Sequence, residues 1–344
     1  MAKVTIAEIA EAAGVSSATV SMVLSNKGKI SENVITKVKT VANNLGYTKI
    51  HKKTAKTYVT ESKTIGMLID IDPDWDFAWR FIRPVLSNIE AVLKENNYIF
   101  LLIPINLDLQ SEEIVERVIS SKVCAVLSMH YGNRNLFQEL ESKGVPVVVI
   151  NNSNLQNIFH TVCVDDIRGC YDGTRYLIKN GHRSIGYVEY ERPDMQTLVN
   201  DRFMGYKNAL ESEGIEFKSD LRITTQMNNM QGLYESLDEL FREHEEITAL
   251  ICHDDYLADN VIAVLTKLDK RVPEDISIIA PGDVINYNEP HVPQITTMRI
   301  NKELMGRTAG EVVINRLKNK HEGIQVLKVN QVLIDRGSVR NLGS

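Results

Sequence analysis

From Thr64 onward the chain alternates short apolar runs with helix-length segments, and it does so twice. "TIGMLIDI", "YIFLLIPI", "CAVLSM" and "VPVVVI" make the first series, separated by segments such as "RPVLSNIEAVLKENN" and "SEEIVERVISS". "RSIGYV", "DLRITT", "ITALIC", "DISIIA" and finally "NQVLIDRGS" make the second. That rhythm predicts parallel strands joined by crossover helices. Two doubly wound sheets side by side place their strand C-terminal ends at a shared cleft, where such folds bind small ligands.

The residues before Thr64 have a different character. Positions 1 to 63 hold ten lysines and four glutamates with no arginine or aspartate, a net +6, so the remaining chain carries −12 of the overall −6. A small basic head on a large acidic body predicts a polyanion met by one end only. No run approaches the roughly 18 apolar residues of a membrane span. The N-terminal "MAKVTIAEIAEAAG" has early glutamates and no uninterrupted apolar core, which excludes a secretory signal and predicts a cytoplasmic protein with no membrane partner. Cys124, Cys163, Cys170 and Cys252 lack metal or redox spacing and are expected to be reduced packing residues.

Within the head, Thr5 and Glu8 have capping-box spacing, and Ile6, Ile9, Ala10 and Ala13 share a helical face. Gly14 is a natural C-terminal stop. A second helix is expected from Ser16, with Val20, Val23 and Leu24 inward and Ser17, Ala18, Ser21 and Met22 outward. A third, from Ser31, carries Ile35, Val38, Val41, Ala42 and Leu45 on one face before Gly46. Three short helices with a tight turn after Gly14 make a helix-turn-helix unit. The stretch "VSSATVSMVLSN" is uncharged and rich in hydroxyls, which suits a helix lying in a major groove and reaching phosphates and base edges.

"TIAEIAEAAGVSSATVSMVLSN" followed by "NLGY" resembles the headpiece of the LacI/GalR family of bacterial transcription regulators. The resemblance continues through "VDDIRGCYDGTRYLIKNGHRSIGYV", "DRFMGYKNAL", "RVPEDISIIA", "PQITTMRINKELMGRTAGEVVINRL" and "VLIDRGSV". It implies an all-α helix-turn-helix headpiece over 1–47, a hinge over 48–63 and an α/β periplasmic-binding-protein-like core over 64–340. The first lobe is then about 64–163 plus 295–325, and the second about 164–294 plus 326–340. The implied protein is a ligand-responsive repressor that binds double-stranded operator DNA at a pseudo-palindromic site as a homodimer. Its effector is a sugar or sugar derivative held between the lobes, it needs no cofactor or metal, and it is not an enzyme. No heptad follows "LIDRGSVRNLGS", which favours a dimer over a tetramer. The alternative class is a solute-binding protein without DNA function, which the basic head opposes.

By the same resemblance Ser17, Ala18 and Met22 read bases, while Thr5, Ser16, Thr19, Ser21 and Asn26 anchor phosphates. Lys29, Lys52, Lys53 and Lys56 are the basic side chains assigned to DNA. Relatives often carry arginine where Met22 stands, so an operator half-site less dependent on guanine is expected. The hinge also departs, since "YTKIHKKTAKTYVTESKTIG" has no proline and puts Lys56 near the position of the family's leucine wedge.

For the effector, "DIDPDWDFAWRF" brings four aspartates and both tryptophans into one expected loop. Trp75, Trp79 and Phe81 offer ring faces for a sugar or cation, and Asp72 accepts hydrogen bonds. A calcium loop is excluded, because Trp75 stands at the glycine position and Phe81 at the closing acid. Arg202 matches the family's effector-holding arginine and Asp255 its cleft acid, and Asp283 lies in an altered turn. The excess of acid around one arginine favours a polyhydroxylated or cationic ligand over a simple anion. His182 resembles a structural family histidine, and His130, His253 and His291 lack a nucleophile or metal partner at useful spacing. No phosphate loop, zinc-helix motif or serine elbow is present.

Overall fold

The structure, a computed structural model, describes residues 5–24, 30–31, 34–35, 37–38, 41, 62–70, 76–105, 109–191, 196–319 and 323–343. The chain divides into two units, Met1–Lys56 and Thr57–Ser344. In the smaller unit, helix α1 (Ile6–Ala13) opens on Thr5, whose side chain accepts from the Glu8 amide while the Glu8 carboxylate accepts from the Thr5 amide. Gly14 closes α1 at φ 63°, and its N–H reaches Ala10 and Glu11 carbonyls. This left-handed position suits a residue without Cβ and lets the chain turn by 102° across the three residues between the helices. Helix α2 (Ser17–Leu24) follows, and Ile9, Ala10, Ala13, Val20, Val23 and Val38 form a shared core. Ala42, Leu45 and residues 48–61 of the expected hinge lie outside the described residues.

The larger unit runs β1 (Thr64–Asp70), α3 (Asp76–Glu95), β2 (Ile99–Ile105), α4 (Ser111–Ser120), β3 (Ala125–Met129), α5 (Arg134–Ser142), β4 (Val147–Ile150) and β5 (His160–Val164). Then come α6 (Asp166–Lys179), β6 (Ile185–Tyr190), α7 (Gln196–Ser212), β7 (Arg222–Thr225), α8 (Met230–Glu243), β8 (Ala249–Cys252), α9 (Asp255–Lys267) and β9 (Ser277–Gly282). The last elements are β10 (Thr296–Ile300), α10 (Lys302–Lys318), β11 (Val326–Val329) and β12 (Gln331–Ile334). The first sheet has the order β11-β5-β4-β3-β1-β2 and is parallel throughout. The second has the order β12-β10-β9-β8-β6-β7 and is parallel except for the antiparallel β10–β12 pair.

The central strands of each sheet are buried on both faces. In the first, Ile65, Met67 and Ile69 pack under α3 and α10, and Leu68 and Val126 under α4 and α5. In the second, Leu250 and Ile278 pack under α8 and α9, and Tyr187 and Ile279 under α6 and α7. All four cysteines are buried and free, and burial pushes the Cys163 thiol up to about 12. They are packing groups, as their dispersed positions suggested.

Two expectations need correction. Strand β10 lies in the second sheet, paired with β9, and β11 lies in the first, paired with β5. The expected lobe limits of 295–325 and 326–340 therefore exchange these two strands. The chain crosses between lobes at Asp165, Asn301 and Asn330, between the strand and helix ends that flank them. Secondly, Asp76 through Phe81 are the opening turns of α3 rather than part of a loop. A helix takes them because Phe81, Ile82 and Val85 then recur on the face that the first sheet buries.

Candidate functional site

On the head, Ser17, Ala18, Ser21 and Met22 point outward from α2, with Met22 41% exposed. Ser16 is the residue before α2, and its hydroxyl accepts from the Thr19 amide at 3.1 Å and lies 2.9 Å from the Thr19 hydroxyl. Thr5 similarly donates its hydroxyl to Glu8 at 3.0 Å. These hydroxyls fix helix starts, and helix starts present amides to anions. Asn26, Lys29, Lys52, Lys53 and Lys56 lie outside the described residues.

Between the two lobes lie adjoining grooves of about 510 and 550 Å³ that share Arg80, Val284, Ile285 and Asn286. Trp79 and Arg83 on α3 line one, and Tyr256 and Asp259 on α9 line the other. Of the expected ligand contacts, Trp79 reaches this surface, whereas Asp72 and Trp75 lie outside the described residues. Phe81 is in the first lobe's core, with its ring stacked on His130 at 5.7 Å.

Arg202, Asp255 and Asp283 are each engaged within the protein. Arg202 is 6% exposed, donates Nε to Asp166 at 2.8 Å and Nη1 to the His253 carbonyl at 2.6 Å. Burial opposes its charge, but the Asp166 carboxylate raises its pKa above that of a free guanidinium, so it stays a cation. Asp255 begins α9 and is fully buried, accepting from the Val284 amide at 2.7 Å, the Ile285 amide at 3.1 Å and the Tyr287 hydroxyl at 3.1 Å. Gly282 is required beside it, since a Cβ there would sit 2.6 Å from Asp255 Oδ1. Asp283 has φ 65° and its carboxylate accepts from Arg299 and Arg336, which hold it below the ordinary range despite burial. Asp255 and Asp283 are thus engaged by internal partners, while Asp72 and Asp74 lie outside the described residues. The two grooves are lined by Arg80 and Arg83 as well as by Asp259 and Glu289, a mixed rather than acidic set.

Asp255 gives a pH-dependent expectation. Burial raises its carboxyl to about 6, above its unfolded value, so its contribution is fully present below the unfolded pKa and lost as pH rises through about 6. Between pH 7.5 and 5.5 the wild type should gain about 1 kcal/mol relative to Asp255→Asn. Urea titrations of both proteins at the two pH values check this, and parallel pH profiles would refute it.

His130 was expected to be structural and Asn151 was not singled out, yet both are polar groups at strand ends. His130 and Asn151 follow β3 and β4 with φ of 61° and 55°, and the Asn151 amide lies 3.0 Å from His130 Nε2. Both are non-glycine residues in the left-handed region, just past the C-terminal ends of their strands. The signal was the polar residue directly after an apolar run, in "VLSMH" and "VVVIN". His182, by contrast, is fully buried between the Thr248 hydroxyl at 2.8 Å and the Arg340 carbonyl at 3.0 Å, and burial lowers its pKa, as suits a structural histidine.

Residues 5–49 match the family of bacterial regulatory proteins, lacI family, and residues 174–339 match a periplasmic binding protein-like domain. The chain belongs to the LacI family. The transcriptional regulator RegA of Clostridium saccharobutylicum is 28% identical, with 97% of this chain and 98% of that protein covered. The transcriptional repressor PurR of Pectobacterium atrosepticum is 26% identical, with 97% and 96% covered. Among solved structures, the fold is shared with a CelR–cellobiose complex at TM-score 0.71, 23% identity and 98% and 100% coverage. It is shared too with a lac repressor dimer bound to operator and the anti-inducer ONPF, at TM-score 0.66, 20% identity and 98% and 100% coverage. Like its LacI-family relatives, the protein is a DNA-binding transcriptional regulator and not an enzyme. No single described helix is long and apolar enough to cross a membrane.

Proposed function

We propose that this LacI-family regulator is a cytoplasmic repressor that binds a pseudo-palindromic operator as a homodimer, and releases or grips it when a sugar-like effector occupies the cleft between the lobes. The observation that carries the DNA half is the capped α1, the left-handed turn at Gly14 and the outward Ser17, Ala18 and Met22 on α2. Residues 1–47 act as the headpiece, 48–63 as the hinge and 64–340 as the effector and dimerisation domain. Thr5, Ser16, Thr19 and Ser21 serve phosphates, together with Asn26, Lys29, Lys52, Lys53 and Lys56.

For the effector, Trp79 supplies a ring face, and His130 and Asn151 supply polar groups from the first lobe. Arg202, Asp255 and Asp283 hold the walls to which the ligand docks. Fold neighbours with cellobiose and with ribose bound support a sugar. Dimerisation is supported by the edge strand β2, where Ile99 is 63%, Leu101 36% and Leu102 45% exposed, an apolar strip that a second copy would cover.

Selection from random duplex DNA, with and without a panel of mono- and disaccharides, tests the reading. Enrichment of a pseudo-palindrome that is altered by one sugar supports it, and enrichment of no sequence in any condition overturns it. Met22 offers only apolar contact, with a thymine methyl as its natural partner. Met22→Arg should therefore shift the facing base pair toward guanine, with about 1 to 3 kcal/mol of discrimination in a competition assay.

A further inference from the structure

We propose that Lys302 is a positioning residue that latches the two lobes together through the Asp283–Tyr287 turn, so that rotation of one lobe against the other must release it. The topology sets this up. Strand β10 ends at Ile300 in the second sheet, and α10 begins at Lys302 and packs on the first. Lys302 is thus the first helical residue past the crossing, yet its Nζ reaches back to donate to the Asp283 carbonyl at 2.5 Å.

The same turn is clamped by its own lobe. Arg299 and Arg336 donate to the Asp283 carboxylate, Thr297 donates its hydroxyl to it at 3.2 Å, and the Arg336 guanidinium lies 3.7 Å over the Tyr287 ring. Asp255 accepts the Val284 and Ile285 amides from beneath. From the first lobe, the turn is met by the Lys302 ammonium and by the core near Trp79, against which Val284 packs. Arg299 and Lys302 therefore straddle the crossing and converge on one residue. Rotation about Asn301 leaves Arg299 with Asp283 but carries Lys302 away from it. Burial works against the Lys302 charge while Asp283 and Asp255 favour it, so the latched state is the one in which the ammonium has these carboxylates nearby. This latch acts whichever ligand fills the cleft, and it goes beyond the reading of the cleft as a sugar site.

The experiment measures the distance between spin labels at Gln138→Cys and Glu216→Cys, exposed positions in the first and second lobes, in the full-length chain without ligand. The four native cysteines are buried and stay in place. Lys302→Met keeps the aliphatic stem and removes the donor. It should shift the ratio of released to latched molecules about tenfold, seen as a second distance population. Lys302→Arg should restore the wild-type distribution. Arg299→Met acts within the second lobe, so it should lower the melting temperature while leaving the distance unchanged. A Lys302→Met distribution superimposable on wild type overturns the proposal. So does an Arg299→Met shift as large as that of Lys302→Met, because the cluster would then be ordinary packing of one lobe. Should Lys302→Met not fold, Lys302→Gln, with a shorter donor, is read by the same criteria.

Discussion

Arg202→Met is expected to lower the melting temperature of the larger unit by roughly 10 °C, the equivalent of about 3 to 5 kcal/mol for a buried ion pair broken on one side. The loss exceeds that of one hydrogen bond because Asp166 is left 5% exposed with no compensating cation. Three segments also come apart, since Arg202 on α7 ties the start of α6 through Asp166 and the end of β8 through the His253 carbonyl. Asp166→Leu combined with Arg202→Met should recover much of the loss, because no unpaired charge then remains. Calorimetry on the two single variants and the double variant gives the coupling directly. A double variant as unstable as the sum of the singles would show that the pair is not the source. If the double variant folds and still responds to a sugar found by selection, Arg202 holds the wall and does not touch the ligand.

Gly306→Val should be comparably damaging, for a steric reason. A Cβ at Gly306 would sit 2.4 Å from the Val85 carbonyl oxygen and 2.8 Å from Asn88 Cβ, so α10 and α3 approach through a residue with no side chain. At Gly310, one turn on, the Cβ would meet Val92 Cβ and Cγ1 at 2.9 Å. The obstacle at Gly306 is backbone, which cannot rotate away, so the helices must separate. Overpacking of this kind costs about 1 to 3 kcal/mol, and more for a branched residue against main chain. Gly306→Ala should fall between Gly306→Val and wild type. Gly323→Ala, with nothing within 4 Å of the added carbon, is the control and should be neutral within about 0.5 kcal/mol. Equal melting temperatures for Gly306→Val and Gly323→Ala would refute the close-approach argument. Because α3 carries Trp79 and Arg80 into the groove, a folded Gly306→Ala should also respond more weakly to effector.

The features that the sequence revealed were those whose causes are local. Thr5, Glu8 and Gly14 announced the first helix and its end because caps are made by residues three or four apart. The β/α rhythm was equally legible, since a strand buried on both faces reads as an unbroken apolar run. Strands β10 and β11 were placed in the wrong lobes because a strand's neighbours are chosen by pairing with residues far away in sequence. Nothing in "TTMRI" or "VLKV" distinguishes one sheet from the other. The internal partners of the acids assigned to the cleft were hidden for the same reason: Asp255 meets the Val284 and Ile285 amides and Asp283 meets Arg336, partners 29, 30 and 53 positions distant. The loop expected around Trp79 was a helix because the sheet beneath supplied a face for it, a condition invisible within those twelve residues.

The three crossings have a consequence for the order in which the molecule is made. The described core of the head lies within the first 41 residues, whereas β11, which completes the edge of the first sheet, lies at Val326–Val329. At bacterial synthesis rates of about 5 to 20 residues per second, roughly 15 to 60 seconds separate these two points. During that interval the nascent chain has a reader for DNA but no finished sensor. Operator contacts formed on the ribosome would be blind to the effector, and responsiveness would arrive with almost the last strand translated.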